Sequence, residues 1–347
     1  MIQQEPFKPS WVSVALLSKP RYDGGRLRRG VIILNQVDHV VGLFPSLPRL
    51  FIIVERRGWN GINRSYIADV KLIEDLSTLD ETRLHFPKAV LLPYGPADFV
   101  DTDVFRPLND VPEYDGIQIA CWSRRKRIEL LIMAASLLPG RQFVHLGHFE
   151  NNGSIEELTY RESCVSLAAR IAPNLHFRYA NARGNSELPT DKNVINAWIN
   201  RAKIGILTTQ SEGINRFKME CMSANRPMLL PDDVGSTTSK HLTAKTGIMY
   251  RPTPADLALA IEQALHHGES FTPREHLAST TGKRLALNAL KVAVHTISIR
   301  DGFPYMYDDI DWDGRNESLF WGDEGVQLLR DLVAQFPAPI VTSTVSA

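Results

Sequence analysis

The sequence predicts an α/β chain of two domains, and three observations carry that prediction. Its 347 residues exceed what a single hydrophobic core usually holds, about 250 to 300 residues. From about residue 117 short β-rich runs alternate with longer helical ones, the habit of a parallel sheet with crossover helices. Between Ile204 and Leu230 a buried-strand pattern passes through a turn into a helix. Two carboxylates, Glu212 and Glu220, straddle that junction with seven residues between them.

The first domain is expected over residues 1–107 and is short. Strands are predicted at 12–17, 31–34, 50–54 and 89–92, separated by loops rich in Gly, Pro and Arg. Residues 108–115, with Pro112 and three acidic side chains, read as the linker. The second domain, 116–299, opens with a strand at 117–121, a helix at 127–138 ended by Pro139-Gly140, and a strand at 143–146 closed by Gly147. A helix at 155–171, a strand at 175–179, a helix at 194–200 and a strand at 204–207 follow. After the 208–213 turn, Asn215 is placed to cap a helix over 216–224. Strands at 227–230 and 247–250 and an amphipathic helix at 254–266, with proline at its start, complete the pattern. The tail 300–347 carries the acidic, aromatic segment from Tyr305 to Gly314 and a helix at 324–336. It is expected to pack back on the first domain.

Lysine plus arginine and aspartate plus glutamate both count 39, so nothing in the global charge argues for a nucleic-acid or polyanion binder. Cys121, Cys164 and Cys221 are far apart and set in apolar segments, which predicts reduced core thiols rather than a disulfide frame or a zinc site. No apolar run approaches the roughly 20 residues a membrane helix needs, and the N-terminal stretch is a poor signal peptide, so a cytoplasmic protein is expected. The basic run Arg26-Leu-Arg-Arg29 offers a weak contact to an anionic acceptor or to the inner membrane surface; a solvated face is the alternative.

In open α/β sheets ligands bind at the carboxyl ends of the strands, and a helix N-terminus there favours a phosphate. Glu212 falls in such a loop and Glu220 in the second turn of the helix that follows. An ionised carboxylate can accept from both hydroxyls of a ribose at once, which suits Glu220; a surface ion pair is the alternative. Four consecutive cations, Arg124 to Arg127, oppose the dipole at a helix start and call for an anion nearby. A diol-binding carboxylate beside a phosphate site suggests a nucleotide sugar. Trp59, Trp122, Tyr94 and the Tyr305 to Trp312 cluster are candidate stacking residues or packing residues, and Asp38, His39 and His85 are candidate donor-facing groups.

Several separated motifs resemble the retaining, nucleotide-sugar-dependent glycosyltransferases of family 4. The stretch from Glu212 to Leu230 is similar to the family's two glutamates, seven residues between, followed by a small-residue helix and a Pro-led strand. The segment 91–107 resembles the stretch before the family's interdomain linker, and 121–131 its first C-domain strand with phosphate-binding Arg and Lys. Val234-Gly-Ser-Thr-Thr-Ser239 and Thr246-Gly-Ile-Met-Tyr250 follow in the family order. The resemblance implies the GT-B architecture, two Rossmann-like domains facing across a cleft.

It implies Glu212 as the catalytic carboxylate contacting the transferred sugar, and Glu220 on the ribose. Arg124 or Arg125 with Lys126 would hold the diphosphate. Gly213, Ile214, Asn215, Arg216, Phe217, Ser236 and Thr237 would offer donor contacts, and Gly24 and Gly25 a glycine-rich loop over the diphosphate. The co-substrate implied is a UDP- or GDP-type sugar, with no metal and no other cofactor. The acceptor implied is a glycan, a lipid-linked molecule or a small hydroxyl compound. The chain departs from the family pattern at Tyr94, at Arg127, where the family has glycine after its phosphate-site lysine, and at Ser236. Those departures keep two alternatives open, a non-catalytic GT-B-like binding module and a GT-B sugar-nucleotide epimerase.

Overall fold

The computed structural model describes residues 12–56, 65–150, 153–179, 191–210, 212–303, 307–314 and 320–336. The chain is α/β and divides into two compact units, Met1–Pro96 with Ala286–Ala347, and Ala97–Leu285.

In the first unit, Gly30–Leu34, Phe51–Glu55, Val70–Leu72 and Val90–Leu92 lie parallel and adjacent in that order. Ser13–Ser18 joins antiparallel beside Gly30–Leu34, and Phe320–Trp321 pairs antiparallel at its outer edge. Every residue of Gly30–Leu34 and Phe51–Glu55 is buried, which is why both read as continuous apolar runs rather than alternating ones. Val70–Leu72 escaped the sequence reading because it is three residues long and centred on Lys71. The predicted tail helix forms as Gly322–Ala334, and its Leu329 and Leu332 enter the core with Val12, Val14 and Ile32. The returning segment begins earlier than expected, at Ala286 inside the helix Lys283–Arg300.

Several candidate residues find packing roles in this unit. Tyr307 and Trp312 are buried, while Trp59 and Tyr305 lie outside the described residues. Within the basic run Arg28 is buried over the Tyr307 ring and Arg29 pairs with Asp69 and Asp301, while the exposed Arg26 lies over the Phe303 ring, each ring contact at 4.4 Å. Asp38 accepts from the Ser65 hydroxyl at 2.6 Å, and His85 is exposed at the end of the helix Leu79–His85.

The expected domain boundary at Pro107 and the linker at 108–115 are corrected, since both fall within the second unit. Ala97, Val100 and Phe105 are core residues there. The N–H groups of Arg106 and Leu108 donate to the Asn196 and Asn200 side chains at 3.2 and 2.9 Å. Of the acidic residues that suggested a linker, Asp115 accepts from the Gln142 N–H at 2.9 Å and Glu113 pairs with Arg201, and Tyr114 already opens the strand Tyr114–Cys121.

The second unit is a doubly wound parallel sheet. Its strands run in the order Leu175–Arg178, Phe143–His148, Tyr114–Cys121, Ala202–Ile206, Met228–Pro231, Gly247–Tyr250. Successive side chains serve opposite faces: Leu229 packs with Ile204 and Ile206 under the helices Ile128–Ser136 and Pro254–His266, while Met228 and Leu230 pack with Phe217 and Met222 of Arg216–Ser223. The chain winds outward from Tyr114–Cys121 in one direction, then restarts beside it at Ala202–Ile206 and winds in the other.

At the edge of this sheet Gly247 pairs with Met228, and a Cβ at position 247 would stand 1.9 Å from the Met228 carbonyl oxygen. Backbone cannot rotate away as a side chain can. Gly247→Ala is expected to lower stability by at least about 2 kcal/mol, the cost of forced overpacking. The urea midpoint measures it; an unchanged midpoint would show that the two strands are not held this closely.

Candidate functional site

The reversal of winding between Tyr114–Cys121 and Ala202–Ile206 opens a crevice at their carboxyl ends, the place where ligands bind in open α/β sheets. Two turns border it. One is the single 3-10 turn Arg124–Lys126 with Arg127, leading into Ile128–Ser136; the other runs from Thr208 to Gly213 and leads into Arg216–Ser223.

Glu212 joins the two turns. Its carboxylate pairs with the Lys126 ammonium, and Arg125 Nη1 lies 3.3 Å from the same oxygen. Arg125 also faces Glu150 at 3.7 Å. Arg127 has left-handed backbone, φ 46° and ψ 48°, the conformation glycine adopts most readily. Its guanidinium grips Asp233 at 2.7 and 2.8 Å and donates to the carbonyls of Thr208 and Thr209. The anion that the cation run called for is therefore supplied by the protein's own Glu212, Glu150 and Asp233. Arg124 stands apart from this group, 5.7 Å from the Tyr160 ring centroid, so Arg125 and not Arg124 accompanies Lys126.

Below the Lys126 turn lies a buried chain of polar groups. Thr208 Oγ1 donates to the Lys126 carbonyl and accepts from Gln118 Nε2 at 2.7 Å. The Gln118 carbonyl oxygen is then free to accept from His145 Nδ1 at 3.0 Å, which places that ring's proton on Nδ1. Burial pushes the His145 pKa down to about 3, so the ring is neutral at pH 7.

The helix after Glu212 forms as expected, with the Asn215 side chain accepting from the Lys218 N–H at 2.9 Å. Glu220 is buried in this helix, 5% exposed. Ile214 and Phe217 are core side chains, so any ligand contact from them would come from backbone; Arg216 is half-buried at the helix start. Gly213 and Glu212 both offer their carbonyls to Thr238 Oγ1, each at 2.8 Å. Gly235, with φ 93°, starts the short helix Ser236–Ser239, in which Ser236 is exposed, Thr237 half-buried and Thr238 fully buried. Gly24 and Gly25 belong to the first unit. They form the two-residue turn between Arg21–Asp23 and Arg26–Arg28 with φ of 55° and 81°, a hairpin geometry that itself requires glycine.

Two residues of this neighbourhood were missed from sequence. The Thr238 hydroxyl points into the protein, and nothing in the run Ser236-Thr-Thr-Ser239 distinguishes it from Thr237. Lys218 is fully buried, with Nζ donating to the carbonyls of Thr238 at 2.7 Å and Lys240 at 2.5 Å. Its one signal was a charge set among Phe217, Met219, Cys221 and Met222. Burial, helped by the Lys240 charge and opposed by Asp98, pushes its pKa down to about 7.

All three cysteines are buried free thiols, and burial raises the Cys121 pKa to about 12. Among the described residues no group of three or more His, Cys, Asp or Glu side chains is placed to hold a metal ion, and no helix is long and apolar enough to cross a membrane.

Solved structures with this architecture are glycosyltransferases of the GT-B fold. Sucrose-phosphate synthase from Thermosynechococcus elongatus superposes with a TM-score of 0.57 at 16% identity, over 78% of this chain and 74% of that one. HepE from Anabaena, in complex with UDP, gives 0.54 at 11% identity over 76% of each chain. The pneumococcal O-GlcNAc transferase GtfA, in complex with UDP and GlcNAc, gives 0.54 at 14% identity over 75% of this chain, which spans 55% of that protein. No family model matches the sequence, and no curated protein matches it. The likeness establishes the GT-B fold.

Lys218 provides a test of the buried network through pH. Its pKa falls from an ordinary 10.5 to about 7 on folding, so between those values the unfolded chain binds the additional proton. Stability of the wild type relative to Lys218→Met should therefore be level below pH 7. Above it, stability should rise by up to about 1.4 kcal/mol per pH unit. The charged and titratable groups facing Lys218 are Asp98, Lys240 and His241, all present in both proteins. Urea denaturation of the pair at pH 6, 8 and 9.5 measures the difference; a constant difference would mean that Lys218 is not held as described.

Proposed function

We propose that the protein transfers a sugar from a nucleoside-diphosphate donor, of UDP or GDP type, to a hydroxyl of a glycan, lipid-linked or small-molecule acceptor. One observation supports this reading above others: Glu212, Lys126 and Arg125 converge at the switch point of a GT-B second unit, with buried Glu220 on the helix leaving it. In this reading Lys126 and Arg125 neutralise the diphosphate as it departs, a role for positioned cations that requires no metal. Glu212 contacts the transferred sugar and Glu220 accepts from the ribose hydroxyls. Ser236, Thr237 and the backbone from Gly213 to Arg216 supply further donor contacts. The acceptor oxygen attacks the anomeric carbon on the face the diphosphate leaves, the bond from that carbon to the diphosphate oxygen breaks, and the departing phosphate takes the acceptor's proton. The configuration at that carbon is then retained.

The internal pairing of Arg125, Lys126 and Arg127 favours a second reading, a GT-B-like module that binds a nucleotide sugar without turning it over. Turnover separates the two. Glu212→Gln and Glu220→Gln are each expected to lower kcat/KM about 100-fold or more, equivalent to about 2.7 kcal/mol of transition-state stabilisation. Assay of released nucleoside diphosphate measures this; near-normal turnover by both variants would sink the site assignment. A thermal-shift panel of UDP, GDP and ADP should give a rise with at least one, since a ligand at about 100 times its Kd stabilises by about 2.7 kcal/mol. Binding without turnover under a range of acceptors would establish the module instead.

A further inference from the structure

Glu212 sits in a turn tied to the 124–127 turn by the Gln210 N–H, which donates to the Arg125 carbonyl at 3.0 Å, and its carboxylate must meet Lys126 and Arg125 there. The Glu212 backbone itself is held from a further segment. Thr238 Oγ1 lies 2.8 Å from the Glu212 carbonyl oxygen and 2.8 Å from that of Gly213, so one hydroxyl proton is shared between successive carbonyls. Thr238 is fully buried, and its β-branched side chain has few rotamers to choose from. Its own carbonyl is in turn fixed by the Lys218 ammonium.

Lys218 also grips the Lys240 carbonyl, so it fastens the whole 238–240 stretch to the helix Arg216–Ser223. That helix carries Glu220. The two glutamates are thus linked by a second route besides the chain between them, running from the helix through Lys218 and Thr238 to the Glu212 backbone. Burying an ammonium against two carbonyls, with no carboxylate bonded to it, is unfavourable, and a core residue of similar length would pack without that penalty. The arrangement makes physical sense if it holds something that apolar packing cannot, namely the height and direction of the turn bearing Glu212.

We infer that Thr238 is a positioning residue for Glu212, seated by Lys218, that sets the alignment of the Glu212 carboxylate with Lys126 and so acts on sugar transfer rather than on nucleotide affinity. The part concerning transfer rests on the proposed glycosyltransferase reading; the part concerning alignment does not. A nucleoside diphosphate would be held chiefly by the cations and by Glu220, which Thr238 does not touch; of the further donor contacts, Thr238 bonds only the Gly213 carbonyl.

Full-length Thr238→Val keeps the shape of the side chain and removes the proton. Two measurements decide its role. In a stability double-mutant cycle, the coupling between Glu212→Gln and Lys126→Met should fall to less than half of its wild-type value in the Thr238→Val background, and return in Thr238→Ser. An unchanged coupling overturns the inference whether or not the protein is an enzyme. In kinetics with UDP-glucose and UDP-N-acetylglucosamine, Thr238→Val should lower kcat at least tenfold while UDP affinity, measured by calorimetry, stays within about twofold. An equal loss in kcat and UDP affinity overturns it as well, since that is what loosening of the whole site would do. If the wild type releases UDP from no donor and binds none, the transferase reading fails, and the cycle still decides the alignment.

Discussion

The carboxylate of Glu212, shared between Lys126 and Arg125, is the interaction around which the second unit is arranged. It can form only because the winding of the sheet reverses between two adjacent strands, so that two turns leave neighbouring carboxyl ends without a crossover helix between them. Each turn alone would be poorly placed. The 124–127 turn gathers four positive charges at the start of a helix, against its dipole, and the 208–213 turn presents a half-buried carboxylate. Together they offset part of each other's charge, and Arg127, reaching across to Asp233 and to the carbonyls of Thr208 and Thr209, ties in the loop after a third strand.

The first unit shows the same physics. Lys71, fully buried on the short strand Val70–Leu72, pairs with Glu55 at the end of the neighbouring strand, donates to the Ser65 carbonyl at 2.7 Å and lies 3.9 Å from the centre of the Phe86 ring. Burial pushes the Glu55 carboxyl up and the Lys71 ammonium down, and each charge is maintained by the other. Such a pair is weak evidence for stability, because desolvation offsets most of the attraction. Its clearer effect is on register. A one-residue slip of Val70–Leu72 would turn Lys71 to the opposite face of the sheet, away from its partner.

What the sequence disclosed follows from how far each signal is local. Strands buried on both faces, such as Phe143–His148 and Phe51–Glu55, announce themselves as apolar runs, and the helix Ile155–Ile171 lies where its pattern placed it, with Ser154 as its cap. The spacing of Glu212 and Glu220 across a strand-to-helix turn was equally legible, and Asn215 caps as its type suggests. The boundary at Pro96 was not, because residues 97–108 become part of the second core through contacts with Asn196 and Asn200 some 90 positions away. Nor could a run of four cations reveal which one would face Glu212. That choice depends on a single 3-10 turn and on the left-handed backbone of Arg127, which send Arg125 and Lys126 to one side and Arg124 to the Tyr160 ring.

Both turns of the site are held from beneath by a buried threonine, Thr208 under the Lys126 carbonyl and Thr238 under the carbonyls of Glu212 and Gly213. The choice of residue type is itself informative. A carboxylate cannot donate to a carbonyl while ionised, and within reach of Lys126 it would compete with Glu212 for the ammonium. A lysine or arginine could donate, but would add positive charge beside a cluster that already needs three carboxylates. A hydroxyl donates without charge, and β-branching limits the directions it can take. Charge is thereby confined to the rim of the crevice, where Glu212, Arg125 and Lys126 meet, and alignment is delegated to neutral groups below it. The buried Lys218 departs from that division, and it sits on the far side of Thr238 from the rim, where its charge meets Asp98 and Lys240 rather than the cations of the site.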